Sequence, residues 1–331
     1  MKYMFRRARA AVNRCCLWGL CIAMCAGLFL PAVLAAEEGT ALRESSRPTL
    51  RVVATFFPVH LFARNIAHSR PYVQIDLLVP PSSGCPHNYS PSPQDLQKLA
   101  QADVVIINGL GLEAFLQEYL ATLPPDTIIV DASHGTSPLP QQAHDDHSHA
   151  GCDHGTAEAH NPHIFAGPRQ AASMAYAIAA GLAQADPRAA AAYQQAAEEY
   201  AARLLSLDRR LAEIGPAAQQ KGVVLQHDAL AYLAANAGLE VLDVIQTDAE
   251  ASPSPARMLE LTRRIREHRP ALILTEPQFP DKLAQTLAQE TQVPLLSLDP
   301  LASGPADAPL SYYEAVMAAN CNLLERSLVQ P

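Results

Sequence analysis

Short β-branched apolar runs alternate with stretches of helical spacing along most of this chain. In the first half, 49–55 (TLRVVAT), 73–79 (VQIDLLV), 104–107 (VVII) and 128–130 (IIV) read as buried strands. Pro80-Pro81 stops the second, Asn108-Gly109 the third, and Asp131 ends the fourth. Helical spacing fills 56–67, 92–102 and 113–123, with Leu96, Leu99 and Ala100 expected on one face of the middle one. The alternation breaks at 134–162, which is rich in Gly, Pro, Ser, His and Asp and reads as a mobile loop. A helix over 167–183 follows. Next comes a longer one over 187–214, with Asp186 as its cap, Pro187 in its first turn and Gly215-Pro216 as its stop. About 28 residues at a rise of 1.5 Å give a strut of roughly 40 Å. The alternation then resumes, with strands at 222–226, 239–245, 271–275 and 295–298 and helices at 230–237, 255–268, 281–291 and 312–328.

Short strands alternating with helices imply α/β architecture, with mostly parallel sheets covered on both faces. The expected organisation is two lobes, 49–185 and 215–331, joined by one long helix at 186–214. Residues 1–35 have the form of a secretory signal. Lys2, Arg6, Arg7, Arg9 and Arg14 precede an uncharged apolar run over 15–34, and Val33-Leu34-Ala35-Ala36 offers small residues for cleavage. A retained membrane anchor is the alternative reading of that run. Lipid attachment at Cys25 is weaker, because Met24 precedes it. Residues 36–48 read as a polar tether. The chain is therefore expected outside the cytoplasm, periplasmic or otherwise exported.

A formal charge of −9 argues against a nucleic-acid partner, which wants a basic footprint. Four of the seven cysteines lie in the leader; Cys85, Cys152 and Cys321 remain, an odd number that rules out a disulfide scaffold. A monomer is expected.

Four potential ligands share one placement. His87 follows the strand at 73–79, His163 follows the strand at 128–130 after the long loop, His227 directly follows 222–226, and Asp299 directly follows 295–298. The carboxyl edge of a parallel sheet is where such folds bind ligands, and two of the four come from each half. Any one histidine at a strand end is ordinarily a hydrogen-bonded structural residue. Three imidazoles and a carboxylate together fit tetrahedral zinc, and they disfavour calcium or magnesium. Imidazole also suits copper, nickel and iron, so the donor set expresses a preference among ions.

The neighbourhoods of these residues resemble the metal-binding receptors of ABC importers, in the zinc-type branch of the zinc and manganese receptor cluster. The resemblance rests on Cys85-Pro86-His87-Asn88-Tyr89-Ser90-Pro91-Ser92-Pro93-Gln94-Asp95, Asn108-Gly109-Leu110-Gly111-Leu112-Glu113 and Asn161-Pro162-His163-Ile164-Phe165. Gln226-His227-Asp228-Ala229, Thr275-Glu276-Pro277-Gln278-Phe279 and Leu298-Asp299-Pro300-Leu301 complete it, in order over nearly all the mature chain. It implies two α/β lobes joined by a long helix, the metal in the cleft between them, and delivery to a membrane permease. Carried over position by position, it makes His87, His163, His227 and Asp299 the ligands of Zn2+, with Mn2+ and Fe2+ as alternatives. Manganese-preferring members commonly have glutamate where this chain has His227. The sequence departs from the pattern at Phe165-Ala166-Gly167-Pro168, where Trp-Leu-Asp-Pro is common. It departs again at Cys85, where an acid is common, and in a second lobe whose single Cys321 cannot form the bridge often found there. Cys85 reads as a buried small residue, with soft auxiliary ligation as the minor alternative.

The loop carries His144, His147, His149, His154 and His160 with Asp145, Asp146, Cys152 and Asp153, a composition suited to secondary metal gathering. Glu276 is expected to orient an imidazole, with direct ligation as the alternative. His60, His68, His134 and His268 read as structural or surface residues. Two rival functions remain. A secreted zinc hydrolase would need an open coordination position and a placed base, for which only Glu276 offers itself, and no HExxH occurs. An adhesin or extracellular zinc buffer could use the same fold.

Overall fold

The structure is a computed structural model describing residues 49–87, 89–141, 160–246 and 253–329. The expected leader and tether, His144, His147, His149, Cys152 and His154 lie outside these residues. From residue 50 on, the described residues other than 69–72 make up one compact unit.

Two four-stranded parallel sheets carry the fold. The first contains β1 (Leu50–Ala54), β2 (Val73–Leu77), β3 (Val104–Ile107) and β4 (Ile128–Asp131) in the order β2-β1-β3-β4. The second contains β5 (Gly222–His227), β6 (Glu240–Gln246), β7 (Leu272–Thr275) and β8 (Leu295–Ser297) in the order β6-β5-β7-β8. In each sheet the chain leaves the first strand towards one edge and then crosses to the other. The reversal opens a crevice at the carboxyl ends of β1 and β3, and again at those of β5 and β7. Val52 pairs with Ile75 and Val104, and Val223 with Val241 and Leu272. Val52, Val104, Val105 and Val223 are fully buried, which is why these strands are runs rather than alternations.

The helices follow the apolar periodicity, with instructive exceptions. α1 (Phe57–Ala67) and α2 (Pro93–Ala100) form as the spacing predicts. A capping box starts α2: Asp95 N donates to Ser92 Oγ and Ser92 N to the Asp95 carboxylate. Leu99 is buried there, but Ala100 is exposed. The helix expected over 113–123 is only a 3-10 turn, Ala114–Leu116, and the short α3 (Gln117–Leu120). Glu113 turns inward to hold the preceding loop, and Pro124-Pro125 close off the far end. α4 (Pro168–Ala185) runs to α5 (Ala190–Ala212) through a 3-10 turn, Pro187–Ala189. Asp186 makes no side-chain cap there; its carboxylate accepts from Tyr193 Oη instead. The 23 residues of α5 measure about 35 Å, somewhat less than the strut expected. Gly215 and Pro216 lie within the short α6 (Ile214–Ala217) rather than after a helix end. Gly215 is required by close packing: its N–H donates to Ala237 O, and an added Cβ would collide with the carbonyl oxygens of Ala237 and Gly238. α7 (Ala231–Asn236), α8 (Pro255–His268), α9 (Lys282–Thr291) and α10 (Tyr312–Leu324) complete the second half, the last running into a π turn, Glu325–Val329.

α5 ties the halves together. Its apolar face presents Tyr193, Ala197, Tyr200, Leu204 and Leu211, all buried, to α1, α4 and α10. Phe62 of α1 meets Tyr200 and Tyr313, with ring centroids 6.0 and 5.3 Å apart. One continuous apolar cluster includes strands of both sheets. Arg203 of α5 donates to Asn65 on α1 and Glu314 on α10, Arg64 donates to Ala308 O, and Asn65 to Leu310 O. Each such bond adds about 1 kcal/mol net. Together with the shared core they oppose hinge opening.

Candidate metal centre

His227 is the last residue of β5, extended and 2 % exposed. Being part of the strand rather than following it, it has a position set by the ladder. Its Nε2 lies 3.4 Å from Asp228 Oδ1 and its Nδ1 3.4 Å from Glu276 Oε1. Glu276 sits just beyond β7, the neighbour of β5, and its backbone N–H donates to Gln226 Oε1. Glu276 is 2 % exposed, and among the described residues neither of its carboxylate oxygens has a hydrogen-bond partner. A buried carboxylate left so is costly unless positive charge comes near it.

His163 enters from the other half. Its ring Nδ1 and its own backbone N–H both lie 2.9 Å from Asn161 Oδ1. Because the backbone can only donate, that atom is the amide oxygen, and Nδ1 must carry the ring proton. Nε2 is then left with its lone pair, as a metal ligand requires. Nδ1 also lies 3.2 Å from Asp228 Oδ1. Nε2 faces His87 Nε2 at 3.1 Å and Cys85 Sγ at 3.3 Å. The ring centroid of His163 is 5.2 Å from that of His87 and 5.0 Å from that of His227. The three predicted histidines therefore converge. They do so as two overlapping groups that share His163: Cys85 with His87 and His163, and His163 with His227 and Asp228.

Asp299 belongs to neither group among the described residues. Its Oδ1 accepts from Gln278 Nε2 at 2.7 Å and from the backbone N–H of Leu301 at 2.8 Å. Its own peptide groups pair with the Asn320 side chain of α10.

Asp228 and Asn161 occur in the quoted motifs, yet the sequence assigned neither a role. Burial would raise the Asp228 carboxyl, but the His163 hydrogen bond and the charges of His163, His227 and His87 outweigh it and hold the group below the ordinary carboxylate value. Asn161 also donates to Asp228 O, and Tyr232 Oη to Asn161 O, so the turn before His163 is latched to the one after His227. The only signals in the sequence were the Asn-x-His spacing and the acid directly after His227.

A third support reaches in from β3. Glu113 is buried and accepts from Thr55 Oγ1 and from the N–H groups of Asn108 and Gly109. Burial pushes its carboxyl up to about 7 against the lowering effect of those donors. Asn108 in turn donates to Pro162 O, next to His163. Gly109 has φ +87°, and a Cβ there would collide with the Asp131 carboxylate. Burial, with the charges of Glu276, Asp228 and Glu113, pushes the Cys85 thiol well above its ordinary value.

The base of the His-rich segment adjoins the centre. Pro140 and His160 form an isolated antiparallel bridge, and Asn161 N–H donates to Leu139 O.

Residues 52–327 match the family model described as zinc-uptake complex component A, periplasmic. The high-affinity zinc uptake system protein ZnuA of Bacillus subtilis (strain 168) is 29 % identical over 313 residues, covering 93 % of this chain and 96 % of that protein. The zinc-binding lipoprotein AdcA of Streptococcus pneumoniae (strain ATCC BAA-255 / R6) is 30 % identical over 257 residues. That match takes in 77 % of this chain but only 50 % of AdcA, so the chain spans half the length of that relative. Among solved structures, the SBP FpvC of Pseudomonas aeruginosa in complex with Mn2+ superposes with a TM-score of 0.72 at 26 % identity, covering 85 % of this chain and 99 % of FpvC.

Proposed function

The chain belongs to the periplasmic component A family of zinc-uptake complexes, a family of substrate-binding proteins, and from that premise we propose that it captures Zn2+ outside the cytoplasm and hands it to the permease of an ABC importer. The observation that carries the reading is the convergence of His87, His163 and His227 around buried Asp228 and Glu276 at the carboxyl edges of two parallel sheets. Imidazole nitrogens with nearby carboxylates suit zinc, while the likeness to a manganese-bound structure leaves the choice of ion to the donors rather than to the fold. His87, His163 and His227 act as ligands through deprotonated nitrogens, and Asp299 is the carboxylate the family resemblance assigns. Asp228 and Glu276 orient the rings and offset the charge of the ion. The role is binding, without turnover of a substrate.

The leader at 1–35 would take the chain out of the cytoplasm. His144, His147, His149, His154 and His160 would gather zinc, a role supported by their composition and by the position of His160 and Asn161 beside His163.

The test is metal analysis of protein purified without added metal. One tightly held zinc per chain is expected, lost in His227→Ala and retained when 142–159 are deleted. Loss of the tight ion in the deletion alone would move the primary site to the loop. Delivery is tested in zinc-starved cells lacking the gene. The wild-type gene should restore zinc accumulation through the importer, and His227→Ala should not.

A further inference from the structure

We propose that Cys85 is a ligand of the transported ion, making the primary site a mixed imidazole–thiolate centre; the inference rests on the receptor reading above. Cys85 Sγ lies 3.3 Å from His163 Nε2, and His87 Nε2 lies 3.1 Å from the same atom. Cys85, His87 and His163 each offer one donor atom within 4.8 Å of the others. Two nitrogens bound at about 2.05 Å around a tetrahedral zinc are roughly 3.3 Å apart, and a sulfur at about 2.3 Å lies roughly 3.6 Å from a nitrogen. The observed separations are those of donors already gathered around a common centre, within the few tenths of an ångström that rotamer adjustment supplies.

The local chain explains why two donors two residues apart both reach it. Gly84 takes φ +71°, a turn open to glycine, and Pro86 stiffens the link between Cys85 and His87. His163 presents Nε2 to both because Asn161 holds the proton on Nδ1. Asp299 is the competing fourth donor. Its Oδ1 is already engaged by Gln278 and the Leu301 N–H, and it belongs to neither group of gathered donors among the described residues, whereas Cys85 already faces His163. On binding, the thiol loses its proton to solvent and the thiolate takes the fourth position beside the three imidazoles, with no change of oxidation state. A thiolate favours zinc over manganese, so Cys85 sharpens selection for the softer ion.

Cobalt(II) loading of the full chain is the experiment. One equivalent should produce a near-ultraviolet sulfur-to-cobalt charge-transfer band with tetrahedral visible bands. The charge-transfer band should persist in Cys152→Ser and vanish in Cys85→Ser, while the visible bands remain. Zinc affinity should fall on the order of a hundredfold in Cys85→Ser and manganese affinity by less than about threefold. X-ray absorption of zinc-loaded wild type supplies a measurement independent of any variant, with one sulfur neighbour expected at about 2.3 Å. Stoichiometric cobalt or zinc binding without a sulfur signal, or a charge-transfer band that survives Cys85→Ser, overturns the ligand assignment and leaves the receptor standing. Failure of the wild type to bind either ion overturns both.

Discussion

His87 and His227 both lean on His163, yet the chain holds them in different ways. His227 closes a central strand, is 2 % exposed, and lies between the Asp228 and Glu276 carboxylates. His87 is exposed and follows a Gly-Cys-Pro turn with no ladder to fix it. One side of the centre is set when the sheet forms; the other is a short loop that solvent reaches. A receptor that must both load and release its ion benefits from that asymmetry. On the buried side, neither Glu276 carboxylate oxygen has a hydrogen-bond partner among the described residues, and positive charge nearby would offset that cost. On the proposed reading, the exposed side would let donors exchange while α5 and its bridging Arg203 hold the lobes together.

The largest effect is expected at the residue shared by both sides. His163→Ala removes a donor from both groups and should reduce zinc affinity by at least a hundredfold. That scale follows from about 10–16 kcal/mol for a four-ligand site, or about 3 kcal/mol per ligand. Equilibrium competition with a chelator measures it; near-wild-type affinity would break the picture of a common centre. His87→Ala and His227→Ala should each lose on the order of a hundredfold, but only His227→Ala should change the melting temperature of the metal-free protein, by several degrees for about 1 kcal/mol or more. Equal melting shifts in the two variants would erase the contrast between strand and loop. Glu276→Gln keeps the shape and removes the charge, so about a 10–100-fold loss of zinc affinity is expected. A larger loss would make Glu276 a ligand rather than an orienting partner. Solution scattering of metal-free and loaded protein should show little change in radius, and a large compaction would contradict the locked lobes.

The smallest expected effect is on pH dependence. The Glu113 carboxyl, about 7 when folded against an ordinary 4.5, binds its proton more tightly in the native state. Its contribution to stability is therefore full below about 4.5 and lost as pH rises through about 7. His60 runs the other way. Burial first, then Arg64, lower it to about 4, so its contribution is present above about 6.5 and lost as pH falls through about 4. Thermal melts of the metal-free protein from pH 4 to 8 should show Glu113→Gln removing the decline towards neutrality and leaving the acid limb intact. An unchanged profile would show that Glu113 does not titrate in that window.

The alternation of strand and helix, and the order of three histidines at or beyond the carboxyl ends of strands, are legible along the chain because both depend on local pattern. His227 was misplaced by only one residue, since a ladder partner, Gln246, extends the strand beyond its apolar run. The stop at Gly215 was misread because its need for a small residue comes from Ala237 and Gly238, which local pattern does not reveal. Asp228 has no role in the sequence reading, and in the fold it is the acid between two rings.

By itself the sequence determined the class of fold and its two lobes, because periodicity is written residue by residue. Tertiary structure alone decided which donors meet, which tautomer His163 holds, and that Cys85 rather than Asp299 stands beside it. Those are matters of ångströms between side chains far apart along the chain, set by how the two sheets pack about one helix and not by any local pattern.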